Sequence, residues 1–317
     1  MKSTSILYSA LTLGLVAVAV LTHASEARHF VSYWQLWYEP VIAGGVCGGL
    51  CALLGLYMLW NRIVFVSLAM TQGAGVGIFL SFLIASWWGV SLEDSSWSLL
   101  MGCVVSALTA FLFVSFRKNR RHADEVLIGL MYVIAAGLIV VIGDHIAEGK
   151  HAIDNLLFGN AVAVTSASLQ RLVMVSVGIG IIHVFFRREF LYASADAEFM
   201  HISGLKVDRW LVVLYLTFTV GITIAMKTIG SLPAFAVMVI PPFLALRSAR
   251  APRAAVVVAV ALGALIPPLG YFFSFLYALP TGASIIMVGG VYILGGWLYA
   301  RCRAVTSRDA PAKYLSQ

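Results

Sequence analysis

The sequence predicts an all-α, polytopic membrane protein, with about nine core transmembrane helices behind an N-terminal signal-like or extra helix. Three observations predict it. Hydrophobic residues make up 61% of the 317 and charged residues only 11%, against roughly 45–50% and about 25% in a soluble domain. Mean hydropathy is +0.94. The apolar residues come in long runs, mostly near the about 20 residues that one helical bilayer crossing needs, and Lys and Arg cluster between alternate runs. Too little chain separates the runs to build a soluble domain, so the organisation expected is a segment at 1–27, a membrane domain at 28–304 and a cytoplasmic tail at 305–317.

The apolar run from Ile6 to Leu21 is sixteen residues long, short for a span, and Thr22-His23-Ala24 or Ser25-Glu26-Ala27 gives the small-x-small pattern of a signal cleavage site. A cleaved signal and an uncleaved first helix both remain open. Tyr33, Trp34, Trp37 and Tyr38 follow, amphipathic rings suited to the headgroup layer. Helix 1 is expected over Val41 to Trp60, with five glycines that let another helix backbone approach closely. Helix 2 is expected over Ile63 to Trp88, helix 3 over Trp97 to Phe116 and helix 4 from about Glu125 to Ile142. A long outer loop follows to residue 168. Helix 5 covers Leu169 to Phe186, and helices 6 and 7 lie in the stretch from Leu211 to about Arg247. Helix 8 spans Ala254 to Phe275, where Pro267-Pro268 should kink it, and helix 9 spans Ser284 to Ala300.

Nine helices with the N-terminal end of the first outside put sixteen of the 21 Lys and Arg on the inner face and four on the outer, with Lys2 before the first segment. Such an excess marks the cytoplasmic side. The net charge of +7 therefore reflects loops at a lipid surface, and nucleic acid is not expected as a partner because the cations sit in short clusters beside apolar runs.

Three groups of polar residues stand out. Ser67, Thr71 and Gln72 in helix 2 are costly in lipid and should face protein or a water-filled path; Ser67 and Thr71 share a helical face and Gln72 lies about 100° round from Thr71. The plainer reading is that they hold helices together. Asp144, His145, Glu148 and His151 in the outer loop are ligand types that divalent metals accept, without a compact zinc signature, and a solvated loop is polar in any case. Asp196, Glu198, Lys206 and Arg209 flank Phe199, Met200, Ile202 and Leu205, the pattern of a short amphipathic helix lying across the cytoplasmic face and docking in a groove. Of the four cysteines, Cys47 and Cys51 share a face of helix 1, a pair that a soft metal accepts but that packing explains as well. Cys103 and Cys302 add no framework. No GxxxxGK[ST] occurs, so the chain cannot cradle nucleotide phosphates and its energy must come from a partner.

Several stretches carry a family resemblance, in order along the chain from about Glu39 to Ala300. ADEVLIGLMYVIAAG at 123–137, DNLLFGNAVAV at 154–164, AEFMHISGLKVDRW at 197–210, and TIGSLPAFAVMVIPP at 228–242 with ALPTGASI at 278–285 resemble the permease subunit of ATP-binding-cassette importers for zinc, manganese and iron. The resemblance implies a second permease copy, ABC ATPase subunits, a periplasmic or lipid-anchored substrate-binding protein and a bacterial cytoplasmic (inner) membrane with its lipid. It implies no cofactor and no catalysis by this subunit. It makes Asp196, Glu198, Phe199, Met200 and Leu205 the ATPase coupling residues. One departure matters: the family carries Gly-Asp-x-x-x-His after the first arginine, and registering on Arg62 puts Leu68 at the Asp and Gln72 at the His. Leucine has no lone pair to give, and an amide oxygen is a weak neutral donor to a transition metal. A diverged scaffold or regulatory subunit, or a permease for a non-metal substrate, thus stays open beside metal import. An ion-driven secondary transporter would need an intramembrane relay, for which the spans offer only His183.

Overall fold

The computed structural model describes residues 2–88, 96–117, 124–146, 149–159, 164–195, 207–249 and 251–308. The described residues form helices α1 (Lys2–Thr22), α2 (Ala24–Ser32), α3 (Trp34–Trp60), α4 (Val64–Trp88), α5 (Ser96–Arg117), α6 (Asp124–Asp144), α7 (Gly149–Phe158), α8 (Ser166–Phe185), α9 (Arg187–Ala195), α10 (Val207–Ile229), α11 (Ser231–Ser248), α12 (Pro252–Tyr277) and α13 (Thr281–Arg308). Among these, nine are long and apolar enough to cross a membrane: α3, α4, α5, α6, α8, α10, α11, α12 and α13. They are the nine that the apolar runs predict, because a run near 20 residues satisfies all its backbone groups only as a helix.

α3 and α4 are the inner shafts of the bundle, each with 72% of its span buried, whereas α8 buries only 17%. The position of α3 follows from its glycines. A Cβ on Gly48 would lie 2.1 Å from the Gly263 carbonyl oxygen of α12, and one on Gly55 would lie 1.7 Å from the Met238 oxygen of α11. The helix backbones are therefore in direct contact at both crossings, a packing open only to glycine. α12 continues through Pro267-Pro268, whose rings lie beside Gly44, Gly45 and Gly48. A proline is tolerated inside such a helix where a neighbouring helix closes over the freed backbone groups.

Several boundaries differ from expectation, among them the end of α13, at Arg308 rather than Ala300. α3 begins at Trp34 rather than Val41, so the aromatic headgroup residues belong to the helix itself. Pro40 sits in its second turn, past the first-turn positions that tolerate proline, and so removes one backbone hydrogen bond from the helix. The expected outer loop contains a helix, α7, because KHAIDNLLF is amphipathic. Leu156 is buried with Phe79 and Ile139, and Ile153 packs against the same cluster. At the N-terminus, α1 and α2 meet at a bend of 104°. Tyr8 lies 3.1 Å from Ser248 through their hydroxyls, Thr12 bonds Tyr292, and Leu11 covers Gly295 of α13. α2 then crosses the outer end of α12, with Phe30 in ring contact with Phe272, Phe275 and Trp37.

Candidate functional site

Polar side chains in a lipid-spanning bundle must find partners inside it. α4 places Ser67, Thr71 and Gln72 at 1–2% exposure. Ser67 Oγ donates to the Val64 carbonyl at 2.6 Å and Thr71 Oγ1 to the Ser67 carbonyl at 2.6 Å, so both hydroxyls fold back on their own helix. Gln72 differs, because its Oε1 is buried with no hydrogen-bond partner. Leu68, one turn before it, is half-buried.

The outer residues do not gather. Asp144, His145 and His151 are all exposed, and His145 Nδ1 is held 2.9 Å from the Val141 carbonyl; Glu148 lies outside the described residues. Cys47 and Cys51 are fully buried in the apolar core. Among the described residues no group of three His, Cys, Asp or Glu is placed to hold a metal ion. Asp196, Glu198, Phe199, Met200 and Leu205, expected to couple to the ATPase, also lie outside the described residues, which resume at α10.

What separate runs of sequence do not show is that three of the quoted stretches meet at one point on the outer side. Gly159, at the end of the LFG run, has φ 74, and Gly230, between α10 and α11, has φ 90. Each occupies space that a side chain on the other would need: a Cβ on Gly159 would lie 2.3 Å from the Ile229 oxygen, and one on Gly230 would lie 2.4 Å from the Gly159 nitrogen. Gly282 at the start of α13 closes the third side, 2.1 Å by the same measure from the Phe158 oxygen. Thr281 Oγ1 reaches the Gly159 carbonyl at 3.4 Å. The left-handed backbone and the missing Cβ atoms together demand glycine here. The only sequence signal for the junction is that each stretch carries a glycine beside a span end.

At the opposite, inner end, a cleft of about 710 Å³ lies between α3, α8, α9 and α12. Arg187, Arg188 and Arg253 line it together with Tyr57, Trp60 and His183. His183 is buried between Tyr57 and Phe190, and its Nδ1 lies 3.0 Å from the Ile179 carbonyl. Among the described residues no Asp or Glu forms an ion pair with it, and a proton relay needs such a partner.

Comparison with known proteins agrees with this architecture. The chain is 26% identical over 275 residues to a membrane protein of Synechocystis, slr2045, covering 85% of this chain and 92% of that one. It is 22% identical over 259 residues to the high-affinity zinc uptake system membrane protein ZnuB of Haemophilus influenzae, covering 80% and 94%. A chain in the structure of PsaBC from Streptococcus pneumoniae in complex with Fab has the same fold, with a TM-score of 0.74 at 19% identity over 86% of this chain and 95% of that one. A model of the ABC 3 transport family matches residues 34–299, from the first residue of α3 to the last residue of the membrane span within α13. The chain belongs to the ABC 3 transport family, as a multi-pass membrane permease subunit.

Proposed function

We propose that this permease imports a divalent transition metal, zinc, manganese or iron, as a homodimer with two ATPase subunits and a periplasmic or lipid-anchored substrate-binding protein. The family match across all nine spans carries the reading, and the H. influenzae relative is named for zinc uptake. ATP hydrolysis belongs to the partner, since the chain has no phosphate-cradling loop.

The geometry suggests how the work is transmitted. The coupling segment leads directly into α10, a helix of 23 residues and hence about 35 Å long. Its far end is Ile229, against the glycine junction. A push on the segment around Phe199 and Leu205 that tilts α10 thus moves the outer contact between Gly159, Gly230 and Gly282. That contact is backbone against backbone with one long hydroxyl bond, so parting it disturbs few side chains. In the same reading residues 2–22 stay with the mature protein as a tenth helix, since removing α1 would strip the cover from Tyr292 and Ser248.

Ser67, Thr71 and Gln72 are assigned to the route, with Gln72 Oε1 as the available oxygen. Neutral oxygens discriminate poorly among transition metals, which leaves selectivity to the binding protein. The test uses cells lacking their own zinc and manganese uptake, supplied with this permease and its partners. Leu68→Asp with Gln72→His should raise accumulation at limiting metal about tenfold, the gain that roughly 1.4 kcal/mol of binding gives. No uptake by either version points instead to a non-metal substrate or a scaffold that has lost transport.

A further inference from the structure

Beyond transport itself, we infer that the inner cleft between α8 and α12 is a site for an anionic phospholipid of the inner leaflet. Its rim and its depth have different chemistry. Arg187 and Arg188 open α9, just past the cytoplasmic end of α8, and Arg253 lies in the first turn of α12; all three are exposed. Deeper toward the membrane centre the wall is apolar, formed by Leu53 of α3 with Val256 and Val260 of α12. Among the described residues no carboxylate lines the cleft.

That order, three guanidinium groups at headgroup level above an aliphatic wall, complements a phosphodiester with its acyl chains. Guanidinium forks bind phosphate oxygens in pairs, and each basic side chain near the surface adds attraction for anionic lipid. The indole of Trp60 on the same rim suits the interface. The cleft opens toward lipid rather than into the bundle: Val184 on its edge is 69% exposed and the adjacent Phe185 is 78% exposed.

Two other occupants fit less well. A free divalent cation is repelled by three arginines. A second copy of the chain, docked about a twofold axis through the cleft, sets the same three arginines against one another.

The test is lipid retention by the purified permease–ATPase complex, incubated with vesicles of phosphatidylglycerol or of phosphatidylcholine, washed in mild detergent and weighed by native mass spectrometry. The complex is expected to keep phosphatidylglycerol and lose phosphatidylcholine. Arg187→Gln, Arg188→Gln and Arg253→Gln should each weaken retention about fivefold, and combined on the order of a hundredfold. Gly180→Trp supplies an independent arm: Gly180 lines the cleft and a Cβ there meets nothing within 4 Å. It should block the acyl chain with the arginines intact. Equal retention of both lipids, unchanged retention in the triple variant, or full displacement by inorganic phosphate overturns the inference. So does efficient disulfide formation between two copies carrying Arg253→Cys.

Discussion

Gly48→Leu is expected to leave almost no folded permease in the membrane. The Cβ alone would lie 2.1 Å from the Gly263 oxygen and 2.7 Å from Pro267 Cγ, so α3 and α12 must move apart before the rest of the side chain finds room. Overpacking costs about 1–3 kcal/mol when side chains yield. Here the obstacle is the backbone of a neighbouring span, and the cost falls above that range. Size-exclusion profiles of detergent-solubilised protein check it, with Gly290→Leu as the control because a Cβ at Gly290 meets nothing within 4 Å. A monodisperse Gly48→Leu peak at the control's yield would contradict the close crossing.

Phe199→Asp or Leu205→Asp should release the ATPase while leaving the permease folded. Either change asks the docking groove to bury a carboxylate with no partner, a penalty of several kcal/mol, and hence a loss of roughly a hundredfold or more in affinity. Co-purification of the ATPase with tagged permease measures it. Retention equal to wild type would move the coupling contact away from this segment.

The spans were legible because one physical requirement, an apolar run that closes its own hydrogen bonds, marks each of them in the sequence. The same logic hid α7. Its ten residues are amphipathic rather than apolar, and they are helical because Ile153 and Leu156 meet Ile139 of the preceding span and Phe79, far back in the chain yet near in space. The glycines of α3 announced close packing, but which helices met them depended on Gly263 and Met238, far along the sequence. The outer junction was not legible for a similar reason. Gly159, Gly230 and Gly282 belong to three different runs, and only their meeting shows why each is glycine. Ser67, Thr71 and Gln72 were expected to face protein or a water-filled path and are buried, yet sequence could not distinguish the hydroxyls, bonded to their own helix, from the amide oxygen left without a partner. The outer acid and histidine group was a matter of composition, and among the described residues it does not assemble into a ligand set.

The most direct measurement of the transport mechanism is metal uptake into sealed vesicles holding the permease and its ATPase, with binding protein outside and ATP inside. Zinc, manganese or iron should accumulate only when ATP and the binding protein are both present, and Phe199→Asp should abolish it. ATP hydrolysis stimulated by the binding protein, with no accumulation of any of the three metals, would contradict metal import by this permease.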